Sequence, residues 1–198
     1  MLALDHLAIV CADLQQGVNW AEARLGVPFQ SGGQHPRFGT HNRLLGLADG
    51  LYLEVISPDP DPDAVVTGPR WFGLDHPPQS PQLGNWICQA ENLDKHAPHA
   101  GHAIALSRGD LEWQITVPTD GSLPYGGAFP TLIKWGVGST HPSATLAPSG
   151  LRLTALHVHC TGLAPDLSID PRVVFHPHAD RVKLTADFET DTGGQVSL

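Results

Sequence analysis

The same order of predicted elements, a strand, a helix and then three strands, occurs twice in this chain, over residues 1–57 and over about 84–136. Repetition of one supersecondary unit predicts two modules related by a pseudo-twofold axis. Between them, Ser57 to Asp63 alternates proline with aspartate, which breaks a strand because proline removes pairing donors. We therefore predict an α+β fold of two βαβββ modules, in which one face of the sheet is covered by helix and the other is free to form a cleft. The expected boundaries are 1–60 for the first module, 61–83 for a linker, 84–136 for the second module and 137–198 for a C-terminal extension of strands.

The first module carries the clearest local signals. Asp13, followed three residues later by Gln16, predicts a capped helix that ends at Gly26. A loop rich in glycine is expected from Ser31 to Gly39. Asp49-Gly50 predicts a type I′ hairpin turn between strands at Thr40 to Ala48 and Leu51 to Ile56, because glycine tolerates the positive φ that this turn requires.

The hairpin turn also predicts which side chains share a face. With Asp49-Gly50 as the turn, Leu45 is expected opposite Glu54, which places His41 and Arg43 on the face of Glu54. In the first strand, Leu2 to Val10, alternation places Asp5, Leu7 and Ile9 on the helix face. The residues expected to line the free face, and therefore the cleft, are His6, His41, Arg43, Tyr52 and Glu54.

Two of these residues are metal-competent side chains in otherwise apolar strands. Apolar strand cores usually exclude such groups unless they are paired or ligated. His6 and Glu54 are therefore candidate ligands for a divalent metal such as Zn, Fe, Ni or Mn, with His41 as a candidate third ligand. The alternative is that Glu54 forms an ion pair with Arg43 and that His6 is a satisfied core histidine.

Composition excludes several classes of partner and site. The formal charge is −9, and no cluster of lysine and arginine is present, which argues against nucleic acid and anionic membranes. No apolar run approaches the roughly 18–20 residues of a membrane span. The three cysteines, Cys11, Cys88 and Cys160, are far apart and match neither a disulfide framework nor a zinc-ribbon spacing. A reducing cytoplasm is the expected location.

A second pair of histidines lies in the C-terminal extension. His157-Val158-His159 places two imidazoles on one face of a strand, a spacing that zinc enzymes use. Leu151, Leu153 and Ala155 are expected on the same face. Without a third ligand in view, a strand with an exposed end is the favoured interpretation.

Several segments together resemble the vicinal oxygen chelate superfamily, in its branch of glyoxalase-like domain proteins. The first module contributes four of them and the second contributes one, followed by His141-Pro142. They are Leu4 to Leu7, Trp20 to Val27, Gly39 to Leu44, Gly50 to Ile56 and Phe129 to Trp135.

The resemblance implies paired βαβββ modules that form a curved mixed sheet around a cleft. It also implies a divalent metal held by residues from the first and last strands of each module, and a small substrate that chelates the metal through adjacent oxygens. His6 and Glu54 match the first-module positions, whereas the second module offers no His or Glu there, so that His41 or His141 would have to substitute. Glu54 is the expected catalytic residue, as a proton shuttle, and His41, Arg43, Tyr52 and Trp135 are the expected substrate-binding residues.

Isomerase, lyase, dioxygenase and hydrolase chemistry all occur on this scaffold, so the reaction stays open. Closure of the two modules within one chain or across a homodimer also stays open. The competing function is a metal-free module that binds a small ligand.

Overall fold

The fold consists of two βαβββ modules and a C-terminal sheet. The computed structural model describes residues 1–61, 66–162 and 167–198. The elements of the first module are β1 (Ala3–Val10), α1 (Leu14–Leu25), β2 (Gln30–His35), β3 (Thr40–Gly46) and β4 (Tyr52–Pro58). Those of the second are β5 (Gln82–Gln89), α2 (Ala97–Ala100), β6 (His102–Arg108), β7 (Leu111–Val117) and β8 (Thr131–Trp135). The C-terminal strands are β9 (Leu151–His159), β10 (Val173–His176), β11 (Lys183–Thr190) and β12 (Gln195–Ser197).

The two modules share one curved sheet of eight strands in the order β2-β3-β4-β1-β5-β8-β7-β6. In each module the first and last strands pair in parallel, β1 with β4 and β5 with β8. The modules meet where β1 pairs antiparallel with β5. The predicted α+β fold class is confirmed, and the modules close on each other within one chain.

Helix α1 follows from its local sequence as predicted. The Asp13 side chain accepts a hydrogen bond from the Gln16 amide at 2.8 Å, and Gly26 ends the helix with a φ of 72°. Its apolar residues Val18, Ala21 and Leu25 are buried against the outer face of the sheet. The loop predicted from Ser31 to Gly39 is wrong in its first half. The segment pairs with β3 as strand β2, with an irregularity between Ser31 and Gln34, because the edge of β3 offers free backbone partners.

The predicted register of the β3–β4 hairpin is also wrong, by one residue. Asp49 and Gly50 adopt the positive φ values of the predicted turn, 59° and 74°. However, Leu51 pairs with two residues: it donates its amide to the Ala48 carbonyl, and its own carbonyl accepts from the Leu47 amide. The amide of the extra residue, Ala48, instead donates to the Leu151 carbonyl of β9 at 2.9 Å. This bulge moves every residue of β3 to the opposite face from the one predicted.

The C-terminal sheet, ordered β10-β9-β11-β12, covers the part of the large sheet that the second module leaves bare. Asn92 accepts a hydrogen bond from the Lys95 amide, as a cap would, but α2 has only four residues. One helical turn cannot cover the outer face of β5. Trp86 and Cys88 on that face are fully buried in the same core as Leu184 and Phe188 of β11. Trp86 also packs edge-on against Phe175 of β10, with ring centroids 6.1 Å apart.

No helix among the described residues is long and apolar enough to cross a bilayer.

Replacement of Gly17 by alanine tests the contact between α1 and the sheet. Gly17 lies against Cys11 and Val55, and an added Cβ would come within 2.6 Å of a Val55 methyl carbon. We expect Gly17→Ala to lower the free energy of unfolding by about 1–3 kcal/mol through overpacking, despite the better helix propensity of alanine. Urea denaturation measures this, with Asn19→Ala on the exposed face of the same helix as the control. If Gly17→Ala is as stable as the control, the helix does not pack this closely.

Candidate functional site

The concave face of the eight-stranded sheet encloses a small cavity between the two modules. Its volume is about 40 Å³, enough for a few waters or a very small ligand. Trp71, Trp113 and Trp135 contribute aromatic walls. The side chains that supply polar atoms to it are His6, His35, Asn42, Tyr52, Glu54 and Arg108.

His6 and Glu54 face each other across the paired strands β1 and β4. His6 pairs with Tyr52, and Ala8 pairs with Glu54, which brings both side chains to the concave face. The Nε2 atom of His6 lies 3.6 Å from Oε1 of Glu54, and both residues are buried. Asn42 donates a hydrogen bond to the other carboxylate oxygen, Oε2, at 2.8 Å. The Tyr52 ring stacks on the His6 ring with centroids 4.3 Å apart. Oε1 is therefore the carboxylate oxygen that faces His6 and is not held by Asn42.

Asp5 contacts the ring nitrogen of His6, Nδ1, that does not face Glu54. Leu4 and His6 pair with successive residues of β5, Cys88 and Ile87, so that Asp5 is the extra residue of a bulge in β1. The bulge explains why Asp5 escapes the strict alternation that predicted it on the helix face with Leu7 and Ile9. The Asp5 carboxylate is fully buried and lies 2.5 Å from Nδ1 of His6.

Three further side chains contact the same carboxylate: two from the second module and one from the segment that follows it. Gln89 of β5 donates from Nε2 at 2.8 Å, and Trp135 of β8 donates from its indole nitrogen at 2.9 Å. The Nε2 atom of His141 lies 3.0 Å away. Four donors around one carboxylate offset the cost of burying its charge.

The buried charges determine which groups are ionised. Burial alone would lower the pKa of His6, but the neighbouring Asp5 and Glu54 carboxylates raise it to about 9. Burial opposes ionisation of both carboxyls, yet the pKa of Asp5 is lowered by its hydrogen bonds with His141 and His6. The pKa of Glu54 is lowered by its contact with the charged His6 and by its hydrogen bond from Asn42, which outweigh its burial. Without a metal, the cluster is therefore an imidazolium between two carboxylates.

His35 is the neutral histidine of the cavity. Burial lowers its pKa to about 4; Glu54 opposes this, and the charge of Arg108 reinforces it. Its Nε2 atom lies 3.4 Å from an Arg108 nitrogen, which can only donate, so Nδ1 carries the proton toward the Thr40 hydroxyl at 3.1 Å. Trp71 donates its indole N–H to that hydroxyl at 3.0 Å and stacks between Phe38 and Phe72.

The structure brings together some of the predicted site residues and separates others. His6, Tyr52, Glu54 and Trp135 line the cavity. The shifted register pairs Leu44, not Leu45, with Glu54. His41 and Arg43 consequently lie on the opposite face, where Arg43 is exposed. The structure therefore does not place His41 as a third ligand or Arg43 as a partner of Glu54, and Asn42 occupies the place expected for them.

Sequence reasoning missed four residues of the site: Asp5, His35, Asn42 and Arg108. An acidic residue next to a histidine inside an apolar strand was the available signal for Asp5. The other three have no local signal, because a strand register and the closure of a curved sheet decide where they point.

The second module departs from the first at the corresponding positions. In the first module, Ala8 is the strand partner of Glu54, and His6 lies two residues before Ala8. In the second module, Ile87 is the strand partner of Thr131, and Asn85 lies two residues before Ile87. Asn85 and Thr131 are thus the structural counterparts of His6 and Glu54. Both are buried, and the Asn85 amide donates to the Thr131 hydroxyl at 2.9 Å.

The residues present fit a divalent metal only from the side of the first module. Donor atoms about 2.1 Å from a zinc-like ion lie roughly 3.0–3.5 Å apart, close to the spacing of His6 Nε2 and Glu54 Oε1. The Asp5 contact to Nδ1 is the support that metal-binding histidines usually have. Within the described ranges, however, no group of three or more His, Cys, Asp or Glu is arranged to hold a metal. Any remaining coordination positions would belong to water or to substrate oxygens.

Other candidate features lie away from the cavity. His157 contacts His176 at 2.9 Å and Asp187 at 3.0 Å on the outward face of the C-terminal sheet. The prediction that Leu151 and Leu153 share this face is wrong, because an irregularity between Leu153 and Ala155 turns both leucines inward. A larger cavity, of about 960 Å³, lies beside His99, Tyr125 and Phe129, and none of the site residues line it.

The sequence of residues 4–164 matches the family model of the Glyoxalase-like domain. The chain belongs to this family, within the vicinal oxygen chelate superfamily. The comparison with curated proteins found no match.

Solved structures show a distant likeness. Methylmalonyl-CoA epimerase from Mycobacterium tuberculosis is 19% identical, over 67% of this chain and 85% of that one, with a TM-score of 0.42. A variant of the Streptomyces coelicolor epimerase in complex with 2-nitronate-propionyl-CoA is 20% identical, over 67% and 97%, with a TM-score of 0.40. A hypothetical protein from Bacillus halodurans C-125 is 10% identical, over 67% and 91%, with a TM-score of 0.40. At this level of similarity, no substrate or activity transfers to the present chain.

Replacement of Asp5 by asparagine tests its role as the common acceptor. Asparagine has an NH2 group in place of one carboxylate oxygen, so at least one of the surrounding donors would face another donor, and the charge of His6 would lose its partner. We expect Asp5→Asn to lower the free energy of unfolding by about 3–5 kcal/mol, as breaking a buried ion pair does. Urea denaturation at neutral pH measures it, with Glu91→Gln, an exposed acidic residue, as the control. A loss no larger than in that control would contradict the arrangement.

The raised pKa of His6 predicts a pH dependence of stability in the metal-free protein. A folded-state pKa of about 9, above the ordinary 6.5, makes a contribution that is complete below pH 6.5 and is lost as the pH rises through 9. We therefore expect the free energy of unfolding, measured in a chelator, to fall over this window. His6→Gln should flatten this fall, whereas His41→Gln should retain it. An equal slope in wild type and His6→Gln would show that His6 is not held as an imidazolium.

Proposed function

We propose that the cavity is the active site of an enzyme that uses a divalent metal and acts on a small organic substrate through two adjacent oxygens of that substrate. The observation that supports this proposal best is the buried pair in which Nε2 of His6 faces Oε1 of Glu54 at 3.6 Å while Asp5 holds Nδ1. A core histidine that needed only to be satisfied would not require a second carboxylate on its other nitrogen.

His6 and Glu54 would hold the metal, which supplies Lewis acidity to stabilise negative charge that develops on substrate oxygens. Asp5 fixes the ring of His6 and its tautomer, so that Nε2 is the nitrogen presented to the cavity. Asn42 holds Oε2 of Glu54, so Oε1 is the oxygen that faces His6, and it would either bind the metal or accept and return a proton at a neighbouring substrate carbon. The lowered pKa of Glu54 keeps this carboxyl ionised near neutral pH and therefore able to accept a proton. Tyr52 and Trp135 form the wall against which a substrate would be oriented.

A metal-free module that binds a small ligand is the second candidate, and the second module favours it. Asn85 and Thr131 satisfy each other, and neither is an imidazole or a carboxylate. In the absence of a metal, the imidazolium of His6 is already balanced by Asp5 and Glu54.

Metal content distinguishes the two candidates. Tag-free protein is stripped with a chelator, dialysed against Zn, Fe(II), Ni or Mn, and measured by inductively coupled plasma mass spectrometry. We expect close to one equivalent of one of these metals in the wild type, because the paired donors His6 and Glu54 converge in the cavity, and we expect its loss in His6→Gln and in Glu54→Gln. Absence of metal after reconstitution with every ion would leave the binding module as the function.

Two controls address binding elsewhere. His41→Gln removes a histidine from the other face of β3 and should retain the metal. His157→Gln removes a member of the outward histidine group, which could take up adventitious metal. If the content falls in His157→Gln and not in His6→Gln, the metal does not belong to the cavity.

The cellular location and the oligomeric state are separate questions from the chemistry of the site. The three cysteines are free and buried, consistent with the expected cytoplasmic location. A homodimer stays a prediction, which sedimentation analysis of the purified protein would test.

A further inference from the structure

Arg108 reaches the cavity from the far end of the curved sheet. It is the last residue of β6, at one edge of the eight strands, and its side chain extends to β2, at the other edge. The guanidinium lies where the Cβ of a side chain at position 33 would be, so the glycine there leaves room for it and a larger residue would displace it. One guanidinium nitrogen lies 3.4 Å from Nε2 of His35, and Arg108 lines the same cavity as His6 and Glu54.

Among the residues that the structure describes, this arginine has no anionic partner. Over residues 1–61, 66–162 and 167–198, no carboxylate lies within ion-pair distance of its guanidinium. Its protein neighbour in the cavity is His35, a neutral acceptor that fixes one N–H and leaves the others. Charged residues are rarely buried without a partner, and the guanidinium group suits carboxylates in particular.

We propose that Arg108 is the substrate-binding residue that recognises a carboxylate, and that the ligand of this cavity is therefore a small organic acid. This inference rests on the proposed location of the active site, and it holds for a metal enzyme and for a metal-free binding module alike. A carboxylate matches the planar fork of guanidinium donors, and its small size suits a cavity of about 40 Å³. Arg108 thus takes the role that sequence analysis gave to Arg43.

Titration with small acids and their amides tests the proposal. Acetate, propionate and glycolate are compared with acetamide and propionamide, and inorganic phosphate serves as the alternative oxyanion. Binding is followed through the indole signals of the five tryptophans in ¹H–¹⁵N spectra, since Trp71, Trp113 and Trp135 line the cavity. We expect saturable shifts with at least one acid, at least about tenfold weaker binding of the matching amide, and a loss of about tenfold or more in Arg108→Gln.

Two variants act as controls. Arg108→Lys keeps the charge but not the fork, and should lose less affinity than Arg108→Gln. Arg43→Gln removes an exposed arginine of β3 and should bind like the wild type. Thermal unfolding of each variant shows whether loss of the contact between β6 and β2, rather than loss of binding, explains a change.

The outcomes separate this inference from the metal proposal, because the titrations use chelator-treated protein. Selective binding of acids that depends on Arg108 supports the inference whether or not the protein takes up metal. Equal binding of acids and amides, unchanged affinity in a folded Arg108→Gln, preference for phosphate, or absence of saturable binding by any acid would each overturn it.

Discussion

The carboxylate of Asp5 is the point on which the site depends. It sits in a bulge of β1 at the seam between the modules and accepts hydrogen bonds from four side chains. Such a group is costly to bury, and its charge is tolerable only while all donors remain in place. The orientation of the His6 imidazole therefore depends on three other parts of the structure. These are the pairing of β1 with β5, the Trp135 side chain and the segment that contains His141.

The two modules have divided the tasks of the fold. The first has a full helix and carries the candidate metal ligands, His6 and Glu54, within its strands. The second keeps the strand pairing but carries Asn85 and Thr131 at the equivalent places, and its helix is a single turn. The C-terminal sheet replaces the missing helix as cover for β5. The second module instead contributes Trp113, Trp135 and Arg108 to the lining of the cavity.

Periodicity and turn residues in the sequence were sufficient for the paired modules, for α1 and for the strands that carry His6 and Glu54. They were insufficient to predict which face of the sheet each side chain occupies, because a single extra residue moves the side chains of a strand to the opposite face. The bulge at Ala48 exchanged His41 and Arg43 for Asn42 and Leu44, and the bulge at Asp5 moved a carboxylate into the site. Arg108 was beyond local reasoning, since it reaches the cavity only when the curved sheet brings its two edges together.

The histidines show why counting residue types could not locate the chemistry. The chain has 12 of them. Between two carboxylates, His6 has a raised pKa and holds a proton, whereas burial beside Arg108 keeps His35 neutral. His157 and His176 contact each other on an outward face. The same side chain is thus a cation, a neutral acceptor or a surface group according to its partners. Those partners, Asp5 and Arg108 above all, come from other strands, so that the chemistry of each histidine is decided by tertiary structure.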